Sequence, residues 1–252
     1  MPQRPLILVS NDDGYVAEGL RELADTLESI GDVYVVAPER PRSGVSRMIT
    51  LHKPLRVIPY DRERRRMYCS GTPTDCVYIA LNHILPRKPD LVVSGINRGA
   101  NLGDDVTYSG TVAAAFEAVA HGIPAIAASL VAHERPDFGP AAELTTRVAS
   151  EVLANGLPPR TLLNINVPNN YNLQRGLRVT RLGRRGYERV VDRRDDPRGY
   201  PYYWIGGPEL ELDDSPGTDC NAIHQGYAAL TPVTLDLNND ELAAQLASWR
   251  LD

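Results

Sequence analysis

Cysteine is scarce in this chain. Cys69, Cys76 and Cys220 are the 3 among 252 residues, an odd number with no C-x-x-C pair. That pattern excludes a disulfide framework and a cysteine-held zinc site. No apolar run approaches the length of a bilayer-spanning helix, so the sequence offers no membrane anchor. An excess of positive charge is lacking too: 27 Lys and Arg stand against 32 Asp and Glu, a formal net charge of -5. Neither a nucleic-acid polymer nor an anionic membrane is attracted by the chain as a whole, so any phosphate binding must be local. No internal repeat or low-complexity tract is visible. The opening MPQRP leads straight into a short apolar strand and not into the longer apolar segment of a secretory leader. The expectation is a cytoplasmic protein in a reducing compartment.

What is present is an alternation of strands and helices. Apolar residues in Leu6–Ser10 read as a buried strand, and Leu20, Leu23, Ala24, Leu27 and Ile30 fall on one face of a helix over 19–30. A second buried strand follows over 33–37, which makes a β-α-β unit with a parallel pair. Residues 51–69 hold two short strands around the charge run 61–66, expected to be a solvated hairpin tip. Thr72, Pro73 and Asp75 fit a capping box with proline at the first helical position, opening a helix through about Leu85. Strands at 91–93, 125–129 and 162–167 alternate with helices at 112–121 and 141–155. The pattern predicts an α/β protein with a doubly wound, mostly parallel, Rossmann-like sheet. Past Pro168 the alternation stops. Short strands at 177–182, 202–205 and 227–230 and a helix over 239–249 read as a β-hairpin extension with a terminal helix. Its aromatic residues Tyr200, Tyr202, Tyr203 and Trp204 form either a small core of their own or a subunit contact. The expected division is a catalytic core over 1–170 and an extension over 171–252 that serves oligomerisation.

Chemistry is concentrated where strands end. Asp12 and Asp13 follow the first strand directly, at the end that opens onto the ligand crevice of an α/β sheet. One of them suffices to cap the next helix. Two adjacent carboxylates repel each other, and a hard cation held by oxygen relieves this most simply. A dinucleotide site is disfavoured, because the turn lacks G-x-G-x-x-G. The loop ERPRSGVSR, with Ser43, leaves the second strand, and SGINRG, with Asn97, leaves the third. These donors are all oxygen, which favours Mg²⁺, Mn²⁺ or Ca²⁺ over zinc or copper. Ser109, Gly110 and Thr111 open a helix. They read as caps or as an anion seat, where free amides and the helix dipole point outward and glycine permits close approach. The 5 histidines, His52, His83, His121, His133 and His224, show no metal-ligand spacing.

Taken in order, NDDG, APERPRSGVSR, GTPTDCV, VSGINRG and NLGDDVTYSGTVAAAFEA resemble the SurE family of metal-dependent nucleoside monophosphate phosphatases. LLNINVP, DPRGYPYYWIGG and GTDCNAIHQGYAALTP extend the resemblance over nearly the whole chain. Ala100 departs from members that have proline in this loop. The resemblance implies one divalent metal per subunit, Mg²⁺ or Mn²⁺ with Ca²⁺ able to occupy the site, held by Asp12, Asp13, Ser43 and Asn97. It implies a phosphate seated near Asn97 and Ser109, Gly110 and Thr111. It implies hydrolysis of nucleoside 5′- and 3′-monophosphates, in some members also of short polyphosphate, by a homodimer or homotetramer that exchanges its carboxyl-terminal extension. Asp12, Asp13 and Asn97 are then the catalytic candidates, with Asp12 either orienting or deprotonating the attacking water or, as the second option, forming a direct aspartyl-phosphate. Two other classes fit a nucleotide and a cation at paired aspartates: a nucleotide-sugar transferase and a non-catalytic nucleotide sensor.

Overall fold

The computed structural model describes residues 3–132, 134–187, 190–206 and 209–249, which leaves His133 and Gly207 of the sequence reading outside the described residues. Strand β1 (Leu6–Ser10) is buried along its whole length. Its side chains alternate, with Ile7 and Val9 in one core layer and Leu8 in the other. A strand covered on both faces reads as a continuous apolar run for this reason. Helix α1 (Glu18–Leu27) buries Leu20, Leu23, Ala24 and Leu27, and β2 (Asp32–Pro38) returns parallel to β1 with Leu6 opposite Asp32.

Strands β3 (Val57–Asp61) and β4 (Arg66–Cys69) form the expected hairpin. Its charge run is not simply solvated. Arg66 is buried and pairs with Asp25 of α1 and with Glu28 at its end, which Arg64 also reaches. Helix α2 (Pro73–Ile79) carries the capping box, with Thr72 accepting from the Asp75 amide. It is shorter than predicted, because Ala80–Ile84 widens into a π-helical turn and Leu85 is extended before Pro86. Then come β5 (Leu91–Arg98), α3 (Gly110–Ala120), β6 (Ala125–Val131), α4 (Gly139–Asn155) and β7 (Thr161–Pro168).

The remaining elements are β8 (Leu177–Val179), β9 (Arg185–Tyr187), β10 (Val190–Asp195), β11 (Pro201–Gly206), β12 (Glu209–Leu212), α5 (Asp219–His224), β13 (Ala228–Thr234) and α6 (Asp240–Leu246). The main sheet has 9 strands in the order β3-β4-β2-β1-β5-β6-β7-β13-β8. From β4 to β7 every neighbour is parallel; β3 and β13 pair antiparallel at either side. One face carries α1 and α4 and the other α2 and α3. The fold is α/β and doubly wound.

Beyond β7 the chain does two things. Strands β8 and β13 rejoin the main sheet, while β9 with β12 and β10 with β11 form two antiparallel ladders. On the second ladder Tyr202, Tyr203 and Trp204 are exposed, as is Tyr200 just before it, and Ile205 is 89% exposed. The aromatic residues do not make a core within one chain, because a two-stranded ladder provides no layer to cover them. Among the described residues no helix is long and apolar enough to cross a membrane.

Candidate active site at the carboxyl ends of β1 and β5

Strands β1 and β5 lie side by side, with Val9 opposite Val93 and Ser10 opposite Ser94. From β1 the chain crosses to β2 on one side, and from β5 it crosses to β6 on the other. The order of the sheet therefore reverses between them, and a crevice opens at their carboxyl ends. Asp12 and Asp13 stand at the rim of that crevice.

Asp12 is only 4% exposed. The Thr111 hydroxyl donates to its Oδ1, and its backbone carbonyl accepts from the Arg42 N–H at 2.7 Å. Burial pushes the Asp12 carboxyl up to about 6; Asp13 adds to the rise, and Thr111 opposes it. Gly110 allows this packing. A Cβ at that position would lie 2.7 Å from the Asp12 Cβ and 2.9 Å from its Oδ2. Asp13 turns toward β5, where its Oδ2 accepts from the Arg98 N–H at 2.9 Å. Burial also raises the Asp13 carboxyl, with Arg98 pulling the other way.

Asn97 is brought to the same rim by an irregularity in β5. The pairing with β6 shifts between Ser94 and Asn97, so Gly95 and Ile96 stand against Ala128 alone. Gly95 has φ +143, and a Cβ there would meet the Ala128 carbonyl oxygen at 2.4 Å, so only glycine fits the bulge. The Asn97 amide nitrogen donates to the Gly99 carbonyl at 2.9 Å, which leaves the amide oxygen as the group available to a cation.

Ser43 is exposed in the loop after β2 and joins the crevice through its neighbour. Arg42 touches Asp12, and its carbonyl oxygen would lie 3.2 Å from a Cβ on Gly110. The loop is tied down on both flanks. Ser46 donates to the Thr107 carbonyl at 2.8 Å, and Thr50 donates through its amide at 2.9 Å and its hydroxyl at 2.6 Å to Asp75. Of the expected anion seat, the Ser109 hydroxyl caps α3 by accepting from Val112 at 3.1 Å, and the Thr111 hydroxyl serves Asp12. Any seat for a phosphoryl group at this helix is therefore made by backbone and dipole, with Gly110 giving access.

The donors at the rim are two carboxylates and an amide oxygen, with the exposed Ser43 next to Arg42 in the chain. These donors are all oxygen, which disfavours the soft and nitrogen-ligated ions. A buried carboxylate beside a half-buried one, both with raised proton affinity, fits a hard divalent cation. Beside them, the Asn11 Oδ1 is buried without a hydrogen-bond partner among the described residues.

Residues 7–189 match the family model described as Survival protein SurE. The chain belongs to the SurE family. It is 47% identical over 249 residues to the 5'-nucleotidase SurE of Myxococcus xanthus, covering 98% of this chain and 94% of the relative. The 5'-nucleotidase SurE of Pelobacter propionicus is 50% identical, with coverage of 96% and 98%. The crystal structure of the SurE protein from Aquifex aeolicus superposes with a TM-score of 0.86 at 42% identity, covering 96% of this chain and 98% of that one.

Sequence reading missed the supports behind this SurE site. Asn166 accepts from the Asn101 N–H through its Oδ1 and donates to the Asn101 carbonyl, both at 2.9 Å, while Asn164 donates to the same carbonyl at 2.9 Å. Asn101 donates in turn to Ser129 at 2.7 Å. Asp219 accepts from the Gly103 N–H at 2.9 Å. The signal for the first was present in LLNINVP, where two asparagines spaced two apart share one face of a buried strand.

Proposed function

We propose that this protein is a divalent-metal-dependent phosphomonoesterase that hydrolyses nucleoside 5′-monophosphates to nucleoside and phosphate. Nucleoside 3′-monophosphates and short-chain polyphosphate fall within the same reading. The observation that carries it is Asp12 set against the amino end of α3, with Thr111 on its carboxylate and no side chain at Gly110. One site thus combines acidic oxygen donors for a cation with the end of a helix that favours anions.

Asp12, Asp13, Ser43 and Asn97 would hold one Mg²⁺ or Mn²⁺ per subunit, and Ca²⁺ would be accepted by the same oxygens. When bound, the ion draws negative charge from a phosphoryl oxygen and makes water more acidic. The protein's own part is positional. The amino end of α3 complements the charge that collects on the phosphoryl oxygens. Asp12 would orient or deprotonate the attacking water. Thr111 holds that carboxylate in one orientation. Residues 171–252 serve as an oligomerisation extension of a homodimer or homotetramer, a role that the exposed Trp204 and Ile205 on β11 support. Three free, buried thiols suit the reducing cytoplasm.

Phosphate release from plain nucleoside monophosphates with Mg²⁺ or Mn²⁺, its loss with a chelator and its return with metal is the direct test. Release from a nucleotide with no acceptor present rules against a sugar transferase. Tight nucleotide binding with metal and no release favours a sensor and refutes the proposal.

A further inference from the structure

The loop that carries Asn97 also borders a cavity. Gly99, whose carbonyl accepts from the Asn97 amide, is fixed by its own N–H to Leu130 at 2.9 Å. That cavity measures about 390 Å³. Gly99, Ala100 and Leu102 form one wall, Val131 of β6 adjoins it, and Ile223 and His224 of α5 stand across. The lining is mainly apolar, with few polar groups, and the volume lies in the range of small-molecule pockets.

We propose that this cavity receives the base and ribose of the nucleotide whose phosphate the crevice holds, and that His224 reads the base. The inference rests on the phosphomonoesterase reading and names the part of the substrate which that reading leaves unplaced. Continuity supports it, because Gly99 belongs both to the cavity wall and to the hydrogen bond that holds Asn97. His224 is held for the task. Its Nδ1 lies 3.0 Å from the Asp214 Oδ1, and Asp214 is itself fixed by the Asn221 amide nitrogen, 2.8 Å from its Oδ1 and 3.0 Å from its carbonyl oxygen. Asp214 also lines the cavity. A carboxylate at Nδ1 draws the ring proton to that nitrogen and leaves Nε2 as a hydrogen-bond acceptor. Such an acceptor complements the exocyclic amino group of adenine, cytosine or guanine. It does not complement the carbonyl of hypoxanthine or uracil. Arg185, a further lining residue, forms an ion pair with Asp105, which anchors that side of the cavity.

The test compares AMP, IMP and phenyl phosphate as substrates of the wild-type protein and of His224→Ala. His224 is exposed, so its replacement leaves the fold intact. The expected result is a rise of roughly five- to tenfold in KM for AMP, the size of one lost hydrogen bond, with IMP and phenyl phosphate changed by less than about twofold. Parallel changes for AMP and phenyl phosphate, or no change for AMP, overturn the assignment. If the wild-type protein releases phosphate from none of the three, the hydrolytic reading fails and adenosine binding by calorimetry decides the cavity. Binding that is weakened in His224→Ala then upholds it, and absent or equal binding overturns it.

Discussion

The hydroxyl of Thr111 donates to the carboxylate of Asp12 across 99 positions of sequence. This bond joins the end of β1 to the first turn of α3 inside a buried pocket, where a carboxylate depends on every donor it has. Thr111→Val keeps the shape and removes the donor. The expected outcome is a loss of about 1–3 kcal/mol of stability together with a fall in turnover. Thr111→Ser restores both. Thermal melting and phosphate release on the same preparations check it, and a valine variant with full activity would discard the role given to this bond.

Gly110→Ala is the sharper test of the packing. Alanine improves on glycine in a helix by about 1 kcal/mol as a rule. Here the added methyl would stand 2.7 Å from the Asp12 Cβ and 3.2 Å from the Arg42 carbonyl oxygen, with backbone on one side and a buried carboxylate on the other. The expected outcome is a fall in turnover of at least about tenfold and an overpacking loss of roughly 1–3 kcal/mol. A more stable, fully active alanine variant would show that the first turn of α3 does not close on Asp12.

Local sequence carried the parts of the fold that local physics determines. The apolar runs of β1, β2 and β5 were readable because both faces of those strands are covered, and the Thr72 and Asp75 box because it is complete within four residues. Asp12, Asp13 and Asn97 were legible as candidates because each follows a buried strand. Pairings set by tertiary context were not. Arg66 looks like part of a solvated charge run until Asp25 of α1 and Glu28 at its end are placed over it. The return of β13 to lie between β7 and β8 has no local signature, since Ala228–Thr234 carries the same short apolar pattern as a free hairpin strand. The engagement of the Thr111 hydroxyl with Asp12, which changes what is left to meet a phosphate, is likewise invisible without the sheet.

Asp12 also makes a prediction about pH for the metal-free protein. Burial lifts its carboxyl from 3.8 to about 6, so the folded protein holds the proton more tightly than the unfolded chain does. The charged form therefore weakens the fold above pH 6, and the penalty fades as the pH falls through 6 toward 4. About two units correspond to roughly 3 kcal/mol as an upper figure. In the presence of a chelator, Asp12→Asn is expected to melt higher than the wild type at pH 8, with the gap roughly halved near pH 5 and closed below about pH 4. The same variant is expected to lose phosphatase turnover. An asparagine variant that melts lower at pH 8 contradicts the sign of this argument.

The asparagine pair of β7 separates support from chemistry. Asn166 and Asn164 are both fully buried and touch neither Asp12 nor Asp13 through any bond described above; they hold the backbone of Asn101, four residues beyond Asn97. Asn166 makes two bonds to that backbone and Asn164 one, and the Asn164 Oδ1 already lacks a partner among the described residues. Asn166→Ala therefore leaves both the amide and one bond to the carbonyl of Asn101 unmet, a loss of about 2–4 kcal/mol from the unsatisfied groups together with the cavity. Asn164→Ala forfeits a single bond and is expected to be the milder change. Because the loop moves and the carboxylates do not, KM and the metal concentration for half activity are expected to rise more than kcat falls. Melting temperatures and kinetics of the two variants, ranked against each other, decide the point: if Asn164→Ala proves the more damaging, the Asn101 backbone is not what this network holds.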